Sequence, residues 1–501
     1  MPPTLRRALL GLHRLGLRLY PRRFRAEFEA EMKAVFAEAL AEAAKHGWLS
    51  VGALCAHELA GLLHQAARER VYAAQLKPAR VAQTNGGPQL FSGGPWLPRV
   101  VRGVLITALA AAVILVGLPA AFLWAWARAE QSPQVNQVAL ADLNGDGHLD
   151  ALLAVGHGNL PFPTYVLYND GAGQLGATTH NLGTWPGFAA AAGDVTGDGW
   201  ADALLDTSGG GLLISRSDDG SLSRPVWLTE PGPLGVMRLR PVLGDLNGDG
   251  RLDLFAAGCC GRDGVAEMVD GDPTTPPQLP YSEVWVQGPR GGLLPGRRVG
   301  ELGSNAAALA DLNGDGSLDV FLANGHTLHA DGQVEMNTPN TVWFNDGQAN
   351  FADSGQRLGQ TESTAVALGD LNGDGHADAV VGHDGPAEVW WNDGRGTFTD
   401  SGQRLGSGPT TAVFLADLDR DGDLDLLAAG DRQARVWFND GQGSFAAGSR
   451  RLSFAADAAV AVGDLTGDGA ADVLIARPQT SQVWRNDGRG RLNPEPWVQY
   501  P

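Results

Sequence analysis

Cysteine is scarce in this chain: Cys55, Cys259 and Cys260 are the whole complement of 501 residues. Three thiols cannot build a disulfide framework, so packing or bound ions must hold the fold. Cys259 and Cys260 are sequence neighbours. They read as unpaired thiols in a loop, with a strained vicinal bridge as the alternative in an oxidising compartment. Positive charge is scarce too: 37 Lys and Arg face 56 Asp and Glu, for a net charge of -19. The deficit lies beyond residue 102, where 22 basic residues meet 49 acidic ones. So acidic a region repels a phosphate backbone, which excludes nucleic acid as a partner. A Gly-x-Ser-x-Gly nucleophile elbow and a His-Glu-x-x-His zinc motif are also missing. What the chain does have is 44% apolar residues, enough for a folded core rather than an acidic disordered tail.

The first 102 residues have the opposite balance, 15 basic against 7 acidic. After them residues 103–127 read GVLITALAAAVILVGLPAAFLWAWA without a charge. A helix needs about 20 apolar residues to span a bilayer, so this run is expected to be a transmembrane helix. Arg99 and Arg102 flank its start, and Trp124 and Trp126 suit an interface at its end. By the positive-inside rule the N-terminus stays in the cytoplasm and the C-terminal portion is exported, a single-pass arrangement. Residues 1–76 read as a small helical cytoplasmic domain. Phe24, Phe28, Met32, Val35, Phe36 and Leu40 recur at helical spacing on one stripe. Residues 77–102, rich in Gly, Pro, Gln and Asn, read as a linker.

Beyond the apolar run, one pattern recurs. Asp-x-[Asn/Thr/Asp]-x-Asp-Gly-x-x-Asp occurs seven times, starting at Asp142, Asp194, Asp245, Asp311, Asp370, Asp417 and Asp464. A period near 50 residues with short strands predicts a seven-bladed, all-β propeller over residues 134–501, one four-stranded blade per repeat. In the fifth copy, residues 365–370, 378–382 and 387–391 read as the first three strands. Asn392-Asp393-Gly394 follows as a tight turn before the fourth, because Asn, Asp and Gly tolerate positive φ. Copies two and three carry degenerate third strands, from Leu212 and Val284. Trp285, Trp343, Trp390, Trp437 and Trp484 fall at equivalent places, where packing between blades is the expected role.

The recurring loops have the chemistry of a calcium site. Calcium takes six to eight oxygen ligands in a flexible shell. In the first loop Asp142, Asn144 and Asp146 alternate, Gly147 permits a sharp turn, the carbonyl of His148 adds an oxygen, and Asp150 closes the site. The other copies present Asp194, Thr196, Asp198, Trp200 and Asp202, then Asp245, Asn247, Asp249, Arg251 and Asp253. Next come Asp311, Asn313, Asp315, Ser317 and Asp319, then Asp370, Asn372, Asp374, His376 and Asp378. The last two are Asp417, Asp419, Asp421, Asp423 and Asp425, and Asp464, Thr466, Asp468, Ala470 and Asp472. This is the front half of an EF-hand loop, but Leu153 stands at the twelfth position and strands flank it. Three carboxylates within nine residues repel one another without a cation. Affinity is expected to follow ligand charge, so the Asp417 loop should bind tightest, and the Asp194 and Asp464 loops, with Thr at position three, weakest. Up to seven calcium ions would bring the acidic region from about -27 to about -13.

These repeats resemble the FG-GAP repeats of integrin α-subunit propellers and their bacterial VCBS-type relatives, over about residues 134–501. The resemblance implies a nine-residue calcium loop between the first and second strands of each blade, and a role in binding or adhesion. Seven loops of seven exceeds the integrin pattern, which fills only some blades. Separately, Leu19 to Phe36 (LYPRRFRAEFEAEMKAVF) is similar to the helical prefix of some bacterial permeases. The permease itself is missing, so transport does not carry over.

In a four-stranded meander the first and third connections share one face and the second lies on the other. The longest insertions are second connections, so they should cluster opposite the calcium loops, where binding sites on a rigid scaffold are commonly found. His157, Phe162, Arg262, Tyr281, His326, His329 and Asp331 are the candidate ligand contacts there. The leading reading is a membrane-anchored module, outside the cytoplasm, that binds a protein or a glycan. The alternatives are a polysaccharide-active lyase or hydrolase and a transmembrane sensor.

Overall fold

The computed structural model describes residues 133–156, 162–184, 187–207, 212–215, 222–223, 225–229, 237–260, 281–300, 303–325, 327–328, 334–335, 338–430 and 432–500. The helical prefix, the linker and the apolar run at 103–127 lie outside them. Among the described residues there is no helix, hence none long and apolar enough to cross a membrane. The compact unit that holds the repeats spans Gln131–Pro501.

Each repeat folds into one antiparallel meander. In the fifth blade the strands are Ser363–Gly369, Asp378–His383, Gly385–Asn392 and Phe398–Leu405, hydrogen-bonded in that order. Gly369 pairs with Asp378, Ala379 with Trp390, and Asn392 with Phe398. The strand after each acidic loop is the most buried. All of Asp150–Gly156 (DALLAVG) and all of Asp378–His383 (DAVVGH) are buried. Such strands read as continuous apolar runs because the sheet is covered on both faces. Half of the outer strand Phe398–Leu405 is exposed, and its sequence FTDSGQRL is correspondingly polar.

Six sheets are blades of four strands. The expectation is seven four-stranded blades; six are found, and the C-terminal sheet departs from the pattern with five strands. There Leu492–Pro494 and Val498–Gln499 both pair with Thr480–Asn486, so the outer position is divided between two short strands. The break falls at Pro494-Glu495-Pro496; proline has no amide to give the ladder. In the fourth blade the second connection carries its own small hairpin, Thr327–Leu328 against Val334–Glu335.

The cores lie between blades. One joins Leu312, Phe321 and Val342 of the fourth blade to Ala379, Val381, Trp390 and Phe398 of the fifth. Trp285, Trp343, Trp390, Trp437 and Trp484 all belong to such inter-blade cores or pack against them, as expected. They are opposite Leu254, Val320, Ala379, Leu426 and Val473 in register. The same kind of core closes the ring: Val135, Leu153 and Leu167 of the first blade pack with Leu474, Val483 and Tyr500 of the last sheet. Val135 N donates to Asp457 O at 2.9 Å, and Arg477 grips the Asp457 carboxylate with two 2.8 Å bonds. Among the described residues, no strand of the first blade joins the last sheet, nor the reverse. Closure is by side-chain packing and by hydrogen bonds such as that from Val135 N to Asp457 O.

Candidate metal centre

The nine-residue loops share one geometry. In the first, Asp142 Oδ1 accepts Gly145 N at 2.6 Å and Asp146 N at 3.1 Å, while Oδ2 accepts Gly147 N at 2.8 Å. Asn144 Oδ1 accepts Asp146 N, and Asp146 Oδ1 accepts His148 N, both at 2.9 Å. The first-position carboxylate thus curls the loop around itself. Gly147 has φ 88°, and the sixth position is a positive-φ glycine in every copy. A side chain there would strain the turn.

The ninth-position aspartates do a different job from the others. Asp150, Asp202, Asp253, Asp319, Asp378, Asp425 and Asp472 are wholly buried. Asp425 Oδ2 accepts Leu418 N at 3.0 Å from within its loop, and Oδ1 accepts Asn439 N at 2.9 Å from the turn after the third strand. The pattern recurs at Asp150, Asp253, Asp319, Asp378 and Asp472. The first and third connections therefore meet on one face, as the meander requires. Burial pushes Asp150, Asp319, Asp378 and Asp425 up to about 6, against the pull of the two amide donors. Neighbouring aspartates in the same loop add to the rise.

Two observations bear on whether a cation fits. In the Asp417 loop, Asp417, Asp419 and Asp425 each bring a carboxylate oxygen within 4.8 Å of the others. At position three, Asp419 Oδ1, Thr196 Oγ1 and Thr466 Oγ1 are buried oxygens without a hydrogen-bond donor. Buried oxygens without donors are costly, and a cation would relieve them. The donor set is all oxygen, which suits a hard ion such as calcium.

One class of residue went unread in the sequence. The asparagine heading each Asn-Asp-Gly turn is a latch between blades as well as a turn former. Asn439 Nδ2 donates to Leu424 O of its own blade at 3.2 Å and to Leu371 O, in the acidic loop of the preceding blade, at 2.8 Å. Asn345, Asn392, Asn486 and Asn169 do the same toward Leu246, Leu312, Leu418 and Leu465. In the third blade Gln287 stands in, reaching Asp194 O at 3.3 Å. Each latch residue also donates its own backbone N–H to the buried aspartate of its blade, so successive loops are connected through hydrogen bonds. The signal available was recurrence: a tight turn alone does not demand Asn at that place five times.

Of the ligand-contact candidates, His157, Arg262, His326, His329 and Asp331 lie outside the described residues. Phe162 packs against the closure core, which makes it a structural residue. Tyr281 is engaged by Arg298, whose guanidinium lies 3.7 Å over its ring and whose Nη2 donates to its hydroxyl at 3.0 Å. Cys259 and Cys260 end a strand, opposite Arg238 and Met237 in register, rather than sitting in a loop.

The FG-GAP-like repeat family matches this chain at residues 142–205, 311–381, 370–428 and 417–475. The chain is an FG-GAP repeat protein. Every matched segment of the FG-GAP repeats starts on the first aspartate of a loop and ends within the following repeat. No curated protein matches the chain. Among solved structures, a lectin from Agrocybe aegerita, described as recognising non-reducing terminal N-acetylglucosamine, is 19% identical with a TM-score of 0.44. It covers 69% of this chain and 86% of its own. A protein from Lactobacillus plantarum is 12% identical with a TM-score of 0.44, covering 68% and 96%. One of unknown function from Desulfotomaculum acetoxidans is 11% identical with a TM-score of 0.42, covering 67% and 92%. Likenesses this remote carry no argument about what the chain binds.

Proposed function

We propose that this FG-GAP repeat protein is a calcium-bound propeller acting as a protein- or glycan-binding module. It is tethered outside the cytoplasm by the apolar run at 103–127, and its five-stranded C-terminal sheet serves as the seventh blade. The observation that carries the calcium reading is the Asp417 loop, where three carboxylates converge and one of them, Asp419, has a buried oxygen that lacks a donor. Asp417, Asp419 and Asp421, with the carbonyl of Asp423 and the buried Asp425, would hold the ion. The equivalent residues would do so in the other loops. Calcium supplies the positive charge that lets the acidic loops pack side by side, so its role is structural. Ligand capture falls to the opposite face, where the long second connections emerge. The repeat fold fits a non-enzymatic binding module. The basic N-terminal flank of the apolar run supports a cytoplasmic N-terminus.

The test is a thermal melt of the detergent-solubilised chain in excess calcium, in chelator, and in chelator followed by magnesium. A large loss of stability in chelator, restored by calcium and not by magnesium, is expected, because magnesium demands a tight octahedral shell. An unchanged melt would mean that the acidic loops are turns and nothing more.

A further inference from the structure

Position four of the acidic loops is glycine in six copies, with φ between 70° and 79°. The exception is Arg420, which holds the same left-handed backbone at φ 63°. Its amide makes the bond that five of those glycines make, donating to Asp417 Oδ1 at 2.6 Å. An arginine in this conformation is strained, and such strain persists only where surrounding contacts hold it. Here the contacts lie on the next sheet. Arg420 Nη2 donates to the backbone oxygen of Asp468 at 2.5 Å and to its Oδ1 at 3.2 Å. The guanidinium passes over Gly488, where a Cβ would come 3.0 Å from Nη1. Asp468 is the fifth-position carboxylate of the Asp464 loop, whose third position is the uncharged Thr466. A guanidinium also meets the fifth carboxylate in the Asp245 loop, where Arg251 Nη2 is 2.5 Å from Asp249 Oδ2. That arginine belongs to its own loop, with an unstrained Gly248 at position four. Among the described residues, only Arg420 reaches a fifth-position carboxylate from a neighbouring blade.

We propose that Arg420 is a tethered cation for the Asp464 loop, satisfying Asp468 in place of a metal, so that this loop fills last and only with the guanidinium displaced. The inference rests on the calcium reading above and adds an order of filling to it.

The experiment is calcium binding to the full chain in detergent, by equilibrium dialysis, comparing wild type with Arg420→Gly and Arg420→Gln. Glycine is the residue of the other six loops, so the first variant is expected to fold. The second keeps much of the side-chain bulk and removes its charge. Both variants should gain one tight equivalent over wild type. Asp464→Ala should remove that equivalent from the Arg420→Gly background and take none of the tight equivalents from wild type. Equal numbers of tight equivalents in wild type and both arginine variants would overturn the proposal while leaving the calcium reading intact. Absence of calcium binding in all of them would overturn both.

Discussion

Replacing Asn439 by Ala isolates the latch between blades. Asn439 is 5% exposed, and its Nδ2 donates to two main-chain oxygens, Leu371 O and Leu424 O. Alanine keeps the backbone N–H bond to Asp425 and removes Asn439 Oδ1, a buried oxygen without a partner, but strands both main-chain oxygens. Losing the pair of bonds and leaving buried acceptors without donors costs about 3 kcal/mol. For a unit spanning Gln131–Pro501 the unfolding entropy is about 0.8 kcal/mol/K, so the melting temperature should fall by about 4 °C. The control is Asp440→Ala in the same turn. Asp440 is exposed and accepts Gln442 N and Ser444 N, both at 3.0 Å. Its loss should cost about 1 kcal/mol or less. Melts followed by circular dichroism in excess calcium keep any metal contribution constant. If Asn439→Ala melts no lower than Asp440→Ala, the asparagine is only a turn former and the hydrogen-bonded connection between loops is unimportant.

Protonation should reveal the buried aspartates. Asp150, Asp319, Asp378 and Asp425 hold their protons more tightly folded than unfolded. Their contribution is therefore fully present below the ordinary carboxylate range and lost as pH rises through about 6. Metal-free protein should accordingly melt lower at pH 7 than at pH 5, with calcium flattening the difference; a metal-free melt that rises over this interval would contradict the assignment. Trp390→Ala should empty part of the core between the fourth and fifth blades, where Trp390 is 8% exposed. A loss of about 3–5 kcal/mol is expected by denaturant titration, and a loss under 1 kcal/mol would mean the ring is not part of that core.

Much of this protein was legible because its determinants are local. The acidic loop is a nine-residue structure whose first carboxylate bonds to amides three, four and five residues on, so its geometry is written in one short stretch. Strand order follows from the repeat, since a meander pairs each strand with its neighbour in sequence. The tryptophans were readable as packing residues because they recur at one place in the register. Where a reading failed, the cause was an interaction outside its own repeat or a break in the repeat itself. The division of the last outer strand comes from prolines in a copy that is otherwise regular. Phe162 sits in a second connection, yet it packs against the closure core.

The amino-acid sequence by itself determined the period, the curled acidic loops, the strands around them and the family to which they belong, because each depends on residues within about one repeat of each other. Tertiary structure alone decided which carbonyls the asparagines hold, how the ring closes on Tyr500 and Asp457, and where Arg420 points. Asn169 meets Leu465 across 296 residues, and Ser481 meets Leu175 across 306. No local pattern encodes such a partner: it is set when the blades, each built from local rules, pack face to face and bring distant loops together.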